Sequence, residues 1–596
     1  MSVEARAGPG GDVRRNYAAG VKGTGRTGWK SVLALWAFPL ALWAVCVAWY
    51  GFDLGRFSDD WAISLRTPET DAYRWPASPW VRWPYFWRPL HLVSVYGLAT
   101  IFWHASWVIH AVSALAHLGV AVALFSLLRS IGCMRGAASA GAVMVLAWPL
   151  NYEAVLWPAA IGSVVGTGGF LLLALLVVRL ARNRRELQRA ESLRWIGAIA
   201  GTAFLTACWH EQPAACAAGL AALVMAVRPR GMPARMIVRR ILLVGSAAAL
   251  GCGTYIALLM GTAPGGRRGS AESLVSLDGA ELRLQSTLSQ IREWLFGSRF
   301  VEAAVGQAVA GARIAAERPL GAMVLAAVVA LAGWWVLRGL RAGDAERGDG
   351  AGVAAGRPYA WPWLVIFAVV ISAASLVPVV LVRGNYVFAR YFYPTGVGVA
   401  VIGATLLDSV LVRAGGAFAW RVCRLVFGGL IAVMCLIGML AMVGWQDDFR
   451  ERSMLDEQVA QNLREAVPAL PSGAVLVPVQ TADHARFKGR AFPAGRVPGA
   501  LAQPWSSWAF VQRSFARSDL SATHWRPGTR PPISADENGV AYPRGLSDAW
   551  GRVQPGHTFI PWERVVAFTV SAGAEVRILT PDEARKRLAE RREPEE

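Results

Sequence analysis

Runs of about twenty mostly apolar residues, the length a helix needs to cross a bilayer, recur along this chain and constrain it more than any other feature. They fall near 31 to 50, 105 to 128, 136 to 152, 157 to 178, 195 to 209, 212 to 227, 241 to 260, 319 to 337, 361 to 382, 394 to 412 and 425 to 444. The expected fold is an α-helical polytopic membrane protein with about eleven spanning helices, two of them, near 195 and 212, short or shared. A chain of 596 residues with 55% hydrophobic and 17% charged residues is too apolar to form one water-soluble core. The first run follows a basic stretch as a signal peptide does, but it has no convincing cleavage site and reads as a retained span.

The formal charge of +20 would raise nucleic acid as a partner if it were spread evenly. It is not. From residue 446 onward about 20 Lys/Arg face about 19 Asp/Glu, so the excess sits between the apolar runs, where it orients a membrane protein and requires no nucleic acid. Connections at 129 to 135, 179 to 194, 228 to 240, 338 to 357 and 413 to 424 are basic and are expected to face the cytoplasm, together with a basic tail over 1 to 29. Those at 51 to 104, 152 to 156, 210 to 211, 261 to 318 and 383 to 393 hold most of the acids and are expected outside. This pattern places residues 30 to 445 in the membrane of a bacterial-type inner membrane, with the N-terminus cytoplasmic. After residue 446 the texture becomes mixed and polar. An amphipathic stretch (Phe449, Met454, Leu455, Val459, Leu463) and the strand-like GAVLVPV of 473 to 479 predict a small periplasmic α/β domain over 446 to 596.

Long loops tend to carry function, and the outward set gathers the ionisable residues. Asp59 and Asp60 follow the first apolar run directly. A carboxylate there can take a proton from an acceptor hydroxyl or hold a divalent cation, the one metal role the sequence offers; the plainer role is a short helix capped by Ser58 with acids at its positive end. Arg88, set among aromatics in PYFWRPLHL, can pair with a phosphate or carboxylate, or anchor the chain at the interface. His91 follows it. His110 and His117, seven apart on one apolar helix, suit packing better than metal binding. Glu153 in NYEAVLWP, His210 and Glu211 in CWHEQP, and Arg390, Tyr391 and Tyr393 in ARYFYP add ionisable and aromatic groups to the same face. None of the seven cysteines shows metal-ligand spacing.

These motifs resemble, in order and spacing over residues 30 to 445, the GT-C glycosyltransferases of the branch related to protein O-mannosyltransferases. The acidic pair Asp59 and Asp60 is similar to that branch's pair after the first helix, WRPLHLVSV to its "RPL" segment, and AWPLNYEAVLWP to its "HP…EAV" segment, with Trp148 where histidine is usual. HEQP is similar to its "KE" segment, with His210 in place of lysine, and Arg390 to Tyr393 to its "RYLY". The resemblance implies a GT-C-like fold and inverting transfer of a sugar from a polyprenyl-phosphate donor in the bilayer to a hydroxyl of a glycan, lipid or protein. It implies Asp59 or Asp60 as base, and Arg88 and Arg390 on the lipid phosphate with Tyr391 and Tyr393 beside them. His91, Glu153, His210 and Glu211 would support. No cofactor is fixed by the resemblance, and a divalent cation at Asp59 and Asp60 stays open. The competing expectations are a transporter or flippase for a lipid-linked solute, a polysaccharide ligase or polymerase using diphosphate-linked donors, and a non-catalytic envelope assembly protein.

Overall fold

A computed structural model describes residues 88–101, 105–262, 280–321, 359–381, 389–413, 417–481, 499–523, 533–542 and 558–590, apart from single positions within those ranges and a few outside them. The first expected span, Asp59 and Asp60 lie outside the described residues. Among the described residues, six helical stretches are long and apolar enough to cross a membrane: Trp107–Ile131, Pro158–Arg182, Ala234–Leu258, Trp361–Val379, Ala389–Val410 and one within Arg421–Ala466. The protein is a multi-pass membrane protein with an α/β region at its C-terminal end.

Two expected spans are broken, and the breaks matter. The run at 136 to 152 yields a helix only over Arg135–Leu146. Trp148 turns extended before Pro149, whose missing N–H cannot continue the ladder, and the chain passes through 3-10 turns at Pro149–Asn151 and Pro158–Ala160 with a short helix, Tyr152–Leu156, between them. Irregular backbone at this depth needs internal hydrogen bonds. His110 Nδ1 donates to the Leu156 carbonyl at 3.1 Å, His117 Nε2 to Leu146 at 3.3 Å, and Asn151 Nδ2 to Val145 at 2.6 Å. The two histidines of helix Ser106–Ile131 thus brace both ends of the broken segment, the packing role their spacing predicts. The run at 212 to 227 is likewise divided, into Glu211–Ala215 and Leu220–Val227 around Cys216–Gly219. A further helix, Pro89–Ile101, fills the end of the first long connection. The described part of the expected loop at 261 to 318 is also helical, over Ala280–Phe296 and Gln307–Glu317.

Close helix approach replaces the hydrophobic drive that lipid removes. A Cβ on Gly311 would stand 1.9 Å from the Leu440 carbonyl oxygen, and one on Gly444 2.4 Å from that of Gln307. Only glycine lets Gln307–Glu317 lie this tightly on the 50-residue helix Ala417–Ala466. That helix runs past residue 446 without a break. Its apolar half packs in the bundle, where Trp445 stacks on Tyr152 at a centroid distance of 3.6 Å, and its polar half joins the α/β region.

There, strands β1 (Val475–Thr481), β4 (Ser521–Ala522), β8 (Val565–Val570) and β9 (Val576–Ile578) form a sheet of order β4-β1-β8-β9, with β1 parallel to β4 and β8, and β9 antiparallel to β8. The short strands β2 (Arg486–Phe487) and β3 (Arg490–Ala491) form a hairpin, and β5 (Ser534–Ala535), β6 (Gly539–Tyr542) and β7 (Thr558–Pro561) a second antiparallel sheet. Successive side chains of a strand point to opposite faces, and β1 uses both. Leu476 packs with Leu455, Val459 and Leu463 of the long helix and with Phe510, while Val475, Val477 and Val479 pack with Val540, Ile560 and Leu588. The expected strand at 473 to 479 and the amphipathic helix before it are therefore the two sides of one core. Polar ties complete the join: Asp456 accepts from the Ala500 amide at 3.0 Å, and Asn462 donates to the Ala574 carbonyl at 2.8 Å.

Candidate functional site

The two broken spans, the start of Pro89–Ile101 and the turn Ala389–Phe392 meet at one end of the bundle. Where they meet, Arg88, His91, Trp157, Ala159, Ala160, Gly162, Ser163, His210 and Arg390 line a cavity of about 110 Å³. Four of these, Arg88, His91, His210 and Arg390, come from three connections far apart in sequence that the charge pattern assigns to one face.

Each arginine is held by a glutamate. Arg88 donates through Nε to Glu211 Oε2 at 2.8 Å and through Nη2 to Oε1, a two-pronged pair whose side chains remain 28% and 27% exposed. The pair therefore stands at the mouth of the cavity. Burial works against the Arg88 charge, yet the Glu211 carboxylate outweighs it and holds the guanidinium above its usual range. Burial likewise opposes the Glu211 charge, and the Arg88 guanidinium overcomes it, so the carboxyl lies far below the usual carboxylate range. Deeper in, Arg390 pairs through Nη1 with Glu153, which also accepts from the Arg390 amide at 3.1 Å. The Arg390 guanidinium lies 4.8 Å from the ring centre of Trp157 and 5.2 Å from that of Tyr391. A planar cation between two aromatic faces and a carboxylate has little freedom to move.

The histidines differ from the arginines in being neutral. Burial and the Arg88 charge push His91 down to about 3, against a hydrogen bond from its ring to the Ala159 backbone that works the other way. Burial, then Arg88, push His210 well below its usual value. Its Nδ1 accepts the Gln212 amide at 3.3 Å, capping the helix Glu211–Ala215 and fixing the side chain's place. Helix Ile161–Arg182 comes close to both histidines at glycines: a Cβ on Gly162 would clash with His91 Nδ1 at 2.8 Å, and one on Gly166 would crowd His210 Cβ at 3.1 Å.

Of the residues expected at the site, Arg88, His91, His210 and Arg390 line the cavity, and Glu153 and Glu211 hold its arginines. Tyr391 lies against Arg390. Tyr393 is placed elsewhere: it is fully buried, and its hydroxyl donates to His117 Nδ1 at 2.7 Å. Asp59 and Asp60 are outside the described residues, and among the described residues no group of three His, Cys, Asp or Glu stands ready to hold a metal ion. Sequence reasoning missed Trp157, Gly162 and Ser163. Trp157 and Pro158 end the NYEAVLWP motif, and a Trp-Pro step at a chain break was the available signal. Gly162 and Ser163 sit in an apolar run and gave none.

No protein-family model and no curated protein matches the chain. Among solved structures it is similar to ArnT from Cupriavidus metallidurans bound to undecaprenyl phosphate, with 12% identity, 83% of this chain and 86% of that chain covered, and a TM-score of 0.38. It is similar also to the apo state of ArnT from Cupriavidus metallidurans, with 15% identity, 83% and 85% covered, and a TM-score of 0.39. At so low an identity and TM-score the likeness carries no argument about this site.

Proposed function

We propose that the protein is a GT-C-type membrane glycosyltransferase that moves a sugar from a polyprenyl-phosphate donor to a hydroxyl acceptor, with inversion, on the outer side of a bacterial-type inner membrane. The observation that carries this reading is the pair of arginines, Arg88 and Arg390, on one small cavity at the ends of apolar helices. Two fixed guanidiniums on one cavity wall suit a phosphate group whose lipid tail stays in the bilayer. A guanidinium has five N–H donors, so the two-pronged bond to Glu211 leaves others of Arg88 for a ligand. The glutamates orient the arginines and cancel their charge while the cavity is empty, which lowers the cost of keeping cations there.

In the transfer, the acceptor oxygen bonds to the anomeric carbon as the bond from that carbon to the phosphate oxygen breaks. The electron pair stays on the phosphate, and the acceptor's proton passes to a carboxylate. Arg88 and Arg390 face the charge that grows on the leaving phosphate, the kind of fixed electrostatic help that often dominates catalysis. We assign the proton to Asp59 or Asp60, on the resemblance of the acidic pair. Tyr391 flanks Arg390, and residues 446 to 596 form the periplasmic domain of the enzyme. Tyr393, bonded to His117, is left with a packing role.

The test is transfer by the purified full chain in lipid, with a panel of polyprenyl-phosphate sugars, comparing wild type with Asp59→Asn and Asp60→Asn. Release of polyprenyl phosphate that one of these substitutions abolishes is the expected result. Full turnover in both variants overturns the base assignment. No release from any donor, with the lipid phosphate still bound, overturns the transferase and favours transport or assembly.

A further inference from the structure

Two polar atoms on residues that line the cavity lack partners among the described residues, and a phosphate could satisfy only one of them. His91 Nδ1 and Ser163 Oγ are both buried, and neither has a hydrogen-bond partner among the described residues. Both residues line the cavity with the arginines. Buried polar groups without partners are uncommon and call for a reason.

Their chemistry is specific. The His91 ring bonds to the Ala159 backbone while Nδ1 has no partner, so the bond runs through Nε2. An imidazole that donates from Nε2 and is neutral presents a lone pair at Nδ1. The phosphodiester of the proposed donor offers only acceptors and cannot satisfy that lone pair. A hydroxyl can: its hydrogen goes to His91 Nδ1, and its oxygen accepts from Ser163. Gly162 is what lets the ring lie this close to the start of Ile161–Arg182, because any Cβ there would stand 3.0 Å or less from ring atoms.

We infer that His91 and Ser163 form a hydroxyl-binding subsite beside the phosphate cavity, occupied by an O–H of the sugar on the donor. This rests on the donor-phosphate reading and adds to it. The arginines select the leaving group, and the histidine–serine pair selects for a sugar attached to it. The neutrality of His91 belongs to the same design, since a charged ring would be a donor at both nitrogens and would draw a second phosphate oxygen in place of a hydroxyl.

The test measures binding of two probes to the full chain in lipid nanodiscs: undecaprenyl phosphate, and undecaprenyl phosphate carrying a hexose. In wild type the hexose-bearing lipid is expected to bind more tightly. Ser163→Ala and His91→Phe are each expected to lower that preference about tenfold, the scale of one lost hydrogen bond in a buried site, and to leave the bare lipid within about twofold. Ser163→Thr, which keeps the hydroxyl, is expected to keep the preference, so a mere folding defect is recognised. Equal weakening of both probes, or no change in either, overturns the subsite and leaves the two atoms to the phosphate or to water. Wild type that binds neither probe overturns the phosphate reading itself.

Discussion

The two ends of the helix bundle use arginine in opposite ways. At the cavity end, Arg88 and Arg390 are matched to carboxylates. At the other end, arginines serve backbone carbonyls: Arg129 donates to Cys133 at 2.6 Å, Arg182 to Ile131 at 2.6 Å, and Arg240 to Leu180 and Ala181 at 2.9 and 2.7 Å and to Arg185 at 3.2 Å. Helices ending there leave four carbonyls each without partners, and a cation favours the negative end of the helix dipole. Those arginines close helix ends. On the proposed reading, an arginine oriented by a glutamate beside a cavity keeps N–H donors for an incoming anion. One that closes a helix gives its donors to carbonyls. The difference separates candidate chemistry from architecture among residues of the same type.

The largest expected effect tests that separation directly. Arg88→Ala or Arg390→Ala is expected to lower sugar transfer by about 10² to 10³, the scale of losing a preorganised charge at a reacting group, while Arg240→Ala leaves kcat/KM unchanged. Equal losses from all three, measured by release of polyprenyl phosphate, would erase the distinction between the ends. Stability should divide the same way: Glu153→Gln removes the counter-charge of the partly buried Arg390 and is expected to cost about 3 kcal/mol, seen as a lower unfolding temperature in detergent. Arg240→Ala, which strands neutral carbonyls, should cost about 1 to 2 kcal/mol by the same measurement.

A smaller effect follows from pH. His91 binds its proton at about 3 in the folded protein and near the ordinary 6.5 when unfolded. The unfolded state therefore binds more protons between these values, and stability present above pH 6.5 is lost progressively as pH falls toward 3. Glu211, lowered in the folded state, adds a loss of the same sign below its unfolded value near 4.5. His91→Gln is expected to make the upper part of this curve, between pH 6.5 and 4.5, less steep, with His210 supplying what remains; an unchanged slope in a thermal-unfolding series would show that the ring takes up its proton in the native protein as it does in the unfolded chain. The smallest effect is expected at Arg235 and Glu186, an ion pair 81% and 61% exposed on the capping side. Arg235→Ala there should change stability by less than about 0.5 kcal/mol.

The sequence foretold much of this unevenly. Apolar run length and arginine placement marked the long helices and separated the two faces, because hydrophobicity and charge act through position alone. Arg88, Glu153, Glu211 and Arg390 stood out for the same reason, being ionisable groups at apolar boundaries. Their pairing did not stand out: Arg88 meets Glu211 across 123 residues and Arg390 meets Glu153 across 237. Nor could residue type tell Tyr391 from Tyr393, which share a motif and part ways because a 3-10 turn gives way to a helix between them. Pro149 and Pro213 were visible, yet the runs around them are hydrophobic enough to pass for whole spans. Gly162 and Ser163 act through what they leave room for, and hydrophobic periodicity carries no record of that.

The unbroken helix Ala417–Ala466 has a mechanical consequence. At 1.5 Å per residue, 50 residues make a rod about 75 Å long, far more than the roughly 30 Å of a bilayer's hydrocarbon. Past its middle it is clamped in the bundle by Trp445 against Tyr152, next to the segment that bears Glu153, and the stretch beyond is bolted to the α/β region by Asp456 and Asn462. Such a rod is a lever with no hinge in it. A tilt of about 5° about Trp445 moves Ala466, roughly 32 Å further along, by about 3 Å, so a shift of the α/β region is passed on to the helix segment beside Glu153.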